Sequence, residues 1–136
     1  MALGVGRFES VSILGFNSPE WLLSNNGAIA AGGFAAGIYT TNEPPACKYI
    51  VDHCNARVVV VEGQKQLDKI LAIRAELPKL KAIVVYGGDF DKSANDGVGP
   101  GTAKVYGWKE FMTLGEEVSD DELQARIDDQ KPGHCC

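Results

Sequence analysis

Arg57-Val58-Val59-Val60-Val61 carries four β-branched residues in succession behind a single arginine, and its reading decides the fold. β-branched side chains suit a pleated strand, and a strand that is apolar at every position is covered on both faces. Strands of that kind sit in parallel sheets with helices above and below, so the flanking sequence should alternate between strand and helix periodicity. It does. Upstream, Val11-Ser-Ile-Leu-Gly15 reads as a strand, Ala36-Gly-Ile-Tyr-Thr40 as a second, and Ala46 to Asn55 as a helix with Cys47, Ile50, Val51 and Cys54 on one stripe. Downstream, Gln64 to Leu77 reads as one helix ended by Pro78, with Leu67, Ile70, Leu71 and Leu77 as its apolar stripe, and Lys81 to Tyr86 as a further strand.

The first helix has the clearest start. Ser18 is placed to cap it, Pro19 fits the first helical position, and Glu20 puts an acid in the first turn facing the helix dipole. From there it is expected to run through Trp21, Leu22, Leu23 and Ile29 to about Phe34. Gly27, Ala28, Ala31, Gly32 and Gly33 leave little side chain and predict close packing on the sheet. The βα layer therefore spans residues 11–86. Residues 87–104 lose all periodicity and read as a polar surface loop, and residues 105–130 as short elements, with Ser119-Asp-Asp-Glu122 as a capping box.

Eighteen acids against thirteen lysines and arginines leave a formal charge of -5, which argues against nucleic acid or an anionic membrane as the main partner. Residues 21–42 are uncharged, but the polar-free run inside them extends only from Gly27 to Tyr39. A bilayer needs roughly 20 apolar residues, so no transmembrane span is expected. No secretory signal is visible after Met1, and a cytoplasmic location follows.

Candidate chemistry is sparse. Gly4-Val-Gly6 precedes the first strand, whereas a dinucleotide fingerprint follows one; Gly32-Gly-Phe-Ala-Ala-Gly37 has the wrong spacing, and Gly97-Val-Gly-Pro-Gly101 has no helix behind it. The turn Gly15-Phe-Asn-Ser-Pro-Glu20 is best placed for a ligand, yet Pro19 removes an N–H and Glu20 repels anions, so capping is its expected role. His53 beside Asp52 has no nucleophile to activate, and His134 lies near Cys135-Cys136 without metal-ligand spacing. Cys47 and Cys54 read as buried thiols, and Asp89 and Asp91 as solvated acids. No residue is assigned a catalytic, cofactor-binding or metal-binding role, and no cofactor is expected in this chain.

One series of residues carries a resemblance: Val11-Ser-Ile-Leu-Gly-Phe-Asn-Ser-Pro-Glu-Trp21, Ala31-Gly-Gly33, Gly37-Ile-Tyr-Thr-Thr-Asn-Glu43, Tyr49-Ile50, Val58 to Val61, Gln64 to Ile70, and Leu77-Pro-Lys-Leu-Lys-Ala82. It resembles the N-terminal region of the adenylate-forming superfamily, and within it the bubblegum-type long-chain fatty acyl-CoA synthetases. The resemblance implies an α/β fold: a partial Rossmann-like parallel sheet flanked by helices, an incomplete N-terminal domain. It implies a full-length ligase that uses ATP, Mg²⁺ and CoA to turn a long-chain fatty acid into acyl-AMP and then acyl-CoA, and that is peripheral at the endoplasmic reticulum or other membranes. The family's phosphate loop, adenine, ribose and catalytic-lysine motifs have no counterpart in residues 1–136, so this chain alone is expected to be inactive. The alternative is a noncatalytic α/β module that binds a protein partner, including a second copy through an exposed sheet edge.

Overall fold

In the computed structural model, which describes residues 1–135, five strands form one sheet: β1 (Ser10–Leu14), β2 (Phe34–Ile38), β3 (Ala56–Glu62), β4 (Ala82–Tyr86) and β5 (Lys104–Gly107). Their order is β2-β1-β3-β4-β5 and every neighbouring pair is parallel. The helices are α1 (Pro19–Ala30), α2 (Pro44–His53), α3 (Gly63–Leu71), α4 (Trp108–Leu114) and α5 (Asp120–Asp128). The α/β alternation and the parallel sheet are as expected from the sequence.

The valine run behaves as its composition demands. Val59 and Val61 enter one apolar cluster and Val58 and Val60 the other, so β3 is buried on both faces. Fully burying each such side chain stabilises by about 1.5–3 kcal/mol before entropy is counted. On one face, α2 and α3 bring Cys47, Val51, Leu67 and Ile70 down onto Leu14, Val59, Ile83 and Val105. On the other, Trp21 of α1 and Trp108 and Phe111 of α4 pack with the N-terminal segment over Ile13, Val60 and Val84.

Several boundaries move. β2 starts at Phe34 because α1 stops at Ala30, not near Phe34. Gly32 takes φ +81°, open to glycine at little cost, and a Cβ on Gly33 would overlap the carbonyl oxygen of Glu9, so the chain must turn there. The expected single helix to Leu77 breaks after Leu71, and a 3₁₀ turn follows at Arg74–Glu76. A continuous helix would set Arg74 on the stripe of Leu67 and Ile70. The break releases it to donate to the Ala94 carbonyl at 2.8 Å, while Ile73, Leu77 and Leu80 fill the core.

Residues 87–104 hold a 3₁₀ turn at Lys92–Asn95, and the structure gives this stretch a specific task. The Asn95 amide donates to the Val105 carbonyl and accepts from the Val105 N–H, both at 2.8 Å, which pairs the outer edge of β5. At the amino end of the sheet, Glu9 accepts from the Gly6 N–H and from Arg57, each at 2.7 Å, tying the entry of β1 to that of β3. Burial opposes the charge on Glu9, but the Gly6 N–H and the Arg57 guanidinium outweigh it and hold the carboxyl below its ordinary range. α5 folds back on α1: Arg126 donates to the Ala31 carbonyl and Gln130 to the Ile29 carbonyl, which also accepts the Gly32 N–H at 2.8 Å, and Arg7 pairs with Asp129.

Candidate functional site

In a doubly wound parallel sheet, ligands bind beyond the carboxyl ends of the strands where the winding reverses, here between β1 and β3. The β1–α1 turn, Gly15 to Glu20, borders that point. Ser18 caps α1 by accepting the Trp21 N–H at 3.0 Å, with Pro19 in the first helical turn, as expected.

The protein's own side chains fill the crevice. The Glu62 carboxylate accepts the Phe16 N–H at 2.7 Å, and the Tyr86 hydroxyl donates to the Phe16 carbonyl at 3.3 Å. A Cβ on Gly15 would overlap the Tyr86 hydroxyl and sit 2.9 Å from the Glu62 Cβ, so only glycine leaves room for this packing. Burial pushes the Tyr86 phenol up; Ser18 works against that, and the Glu62 and Glu20 carboxylates reinforce it. The turn therefore offers a phosphate carboxylates and a committed N–H. It does not fit a nucleotide.

The remaining candidates are not brought together. His53 ends α2 stacked on Tyr49 with ring centroids 5.4 Å apart, and His134 meets Phe8 edge-on at 5.0 Å. Cys47 is buried in the α2–α3 cluster, and burial pushes its thiol up. The Cys54 sulfur lies 3.4 Å from the Ser12 hydroxyl, and Cys135 is exposed. The expectation for Cys136 lies outside the described residues. Asp89 is exposed, and the Ser93 hydroxyl, with the Ser93 N–H that Asp91 accepts at 2.9 Å, keeps the Asp91 carboxyl low. Among the described residues, no group of three or more His, Cys, Asp or Glu could hold a metal, and no helix is long and apolar enough to cross a membrane.

Sequence reasoning missed both Glu62 and Tyr86. They reach Phe16 from 46 and 70 residues away, and no local pattern marks them. It also missed a mostly apolar cavity of about 320 Å³ on the α1–α4 face, lined in part by Leu3, Val11, Gly27, Phe111, Leu114 and Leu123.

Comparison with known proteins places these features. Residues 1–128 match the family described as AMP-binding enzyme. The chain is 48% identical over 134 residues to the long-chain-fatty-acid–CoA ligase ACSBG2 of Xenopus laevis, covering 98% of this chain and 17% of that protein. It is 48% identical over 136 residues to ACSBG1 of Homo sapiens, covering 100% of this chain and 18% of that protein. It thus spans less than a fifth of the length of these curated relatives. Among solved structures, the anthranilate CoA ligase AuaEII in complex with anthranoyl-AMP aligns with 62% of this chain and 16% of its own, at a TM-score of 0.58 and 43% identity. The A domain of a carboxylic acid reductase from Segniliparus rugosus aligns at a TM-score of 0.71 and 16% identity, over 85% of this chain and 20% of its own, a likeness of fold alone. With the family matched over nearly the whole of a parallel sheet of the expected kind, the chain belongs to the AMP-binding enzymes and is similar to their bubblegum-type long-chain fatty acid–CoA ligases.

Proposed function

We propose that these 136 residues are sheet scaffold for a long-chain fatty acid–CoA ligase that activates its substrate to acyl-AMP and then acyl-CoA, and that they are inactive alone. The observation that carries this reading is the filled switch point: Glu62 and Tyr86 occupy the crevice where such a sheet would hold a ligand. End-to-end similarity to relatives named as long-chain-fatty-acid–CoA ligases supports the substrate class. ATP, Mg²⁺ and CoA then belong to parts of the full-length enzyme outside these residues. The reading includes a cytoplasmic location, with the full-length enzyme peripheral at membranes.

A segment exchange tests it. The matching 134-residue stretch of the Xenopus laevis relative is replaced by this one, and acyl-CoA formation from palmitate is followed. Retained synthesis is the expected result. A chimera that folds, binds ATP and yet makes no acyl-CoA would overturn the scaffold reading.

A further inference from the structure

The outer side of α1 differs from those of the helices on the opposite face. Its exposed residues are Pro19, Leu22, Leu23, Asn26 and Gly27, and their spacing of three and four places them on one stripe. Leu22 and Leu23 are 56% and 54% exposed. A Cβ on Gly27 would meet nothing within 4 Å, which leaves the backbone there open to close approach. The stripe carries no charge, and none occurs anywhere from Trp21 to Asn42. On their outer sides α2 and α3 instead present Tyr49, Asp52, His53, Lys65 and Asp68. α1 is thus apolar inward, through Trp21 and Ala28, and again outward, the pattern of a helix covered on two sides.

We propose that this stripe is an intramolecular docking face, and that its occupant is an apolar surface of the full-length ligase from outside these residues, with one hydrogen-bonding group opposite Asn26. In the relatives that the chain matches, more than four-fifths of the polypeptide lies outside the matched stretch, so a covalently joined partner is at hand. The stripe is too small for separate chains. Pro19 to Gly27 runs about 12 Å along the helix, and five residues, one of them glycine, fall short of the roughly 800 Å² per partner that a stable complex buries. A joined partner needs less area, because it has no independent translation to lose. A lipid surface fits less well: helices that lie on membranes carry lysine and arginine beside the apolar stripe, and α1 has neither. The inference rests on the reading that these residues belong to a longer ligase, and not on the chemistry assigned to that ligase.

The paired substitution Leu22→Glu and Leu23→Glu tests it in two settings. In the 136-residue chain both side chains face water, so the melt should not change, and neither an oligomer nor binding to phosphatidylserine vesicles should depend on the two leucines. In the chimera of the Xenopus laevis relative that carries this segment, the same pair would bury two carboxylates and should lower the melting temperature by about 5 °C or more. The melt is read independently of acyl-CoA synthesis, so a folded chimera that makes no acyl-CoA, which sinks the scaffold reading, leaves this test standing. Gly27→Leu, which adds bulk to the stripe without charge, is the second variant should the glutamates keep the chimera from folding; it should lower the melt of the chimera and not that of the isolated chain. Equal shifts in the two settings, or a dimer or vesicle complex of the isolated chain that the glutamate pair abolishes, would overturn the proposal.

Discussion

The two faces of the sheet use the same strands to different effect. Under α2 and α3, consecutive crossovers lay one apolar stripe after another on the strands, and Leu67, Ile70, Val59 and Ile83 are wholly buried. Over the opposite face the cover comes from α1, from α4 and from the chain before β1, elements far apart in sequence. Trp21, Trp108, Phe111 and Leu3 are only partly buried there, and a cavity of about 320 Å³ stays open. The first face is finished by local chain order. The second depends on long-range assembly, and it is the looser of the two.

That contrast can be broken by substitution. The largest effect belongs to the dense face: Leu67→Ala should cost about 2–5 kcal/mol, because well-packed neighbours cannot collapse into the space it leaves. Chemical denaturation measures this, and a loss no larger than that of an exposed-site alanine such as Leu22→Ala would remove the distinction between the faces. Next comes the plug. Gly15→Ala should destabilise by about 1–3 kcal/mol through overpacking against Tyr86 and Glu62. A neutral result in the same assay would mean that the crevice has room to spare.

The third effect is a pH dependence. Glu9 is held below its ordinary range in the folded chain, so its contribution to stability is full above the carboxylate's unfolded value and is lost as pH falls through the folded one. Thermal melts from neutral to acid pH should show Glu9→Gln losing less stability on acidification than wild type. Parallel curves would assign the acid sensitivity elsewhere. Smallest, and opposite in sign, is Gly27→Ala. A Cβ there meets nothing within 4 Å, and replacing a mid-helix glycine contributes about 0.5–1 kcal/mol, so the melt should rise slightly. A fall would mean that the cavity beside α1 is narrower than described.

The same division explains what could be read in the sequence. Val58 to Val61 announced a strand covered on both sides because burial acts on every residue of it, and Ser18-Pro19-Glu20 announced α1 because capping is local. The close approach expected of the small residues in and after α1 is only half met: Ala28 in α1 and Gly33 in the turn beyond it are buried, but Gly27 is exposed and faces the cavity. The break after Leu71 was hidden because the apolar spacing up to Leu77 suits a helix, and the gain from releasing Arg74 depends on Ala94 twenty residues on. Asn95 looked like one more loop polar residue, and its value lies in the edge of β5. The turn after β1 is legible as the best-placed location, but Glu62 and Tyr86, which close it, arrive through the sheet register and not through any motif.

Scaffold with a closed switch point should not catalyse adenylation by itself. ATP–pyrophosphate exchange in the presence of palmitate and Mg²⁺, on the purified 136-residue chain, tests it most directly. No exchange above a protein-free control is the expected result. Sustained exchange that disappears on boiling the protein would contradict it.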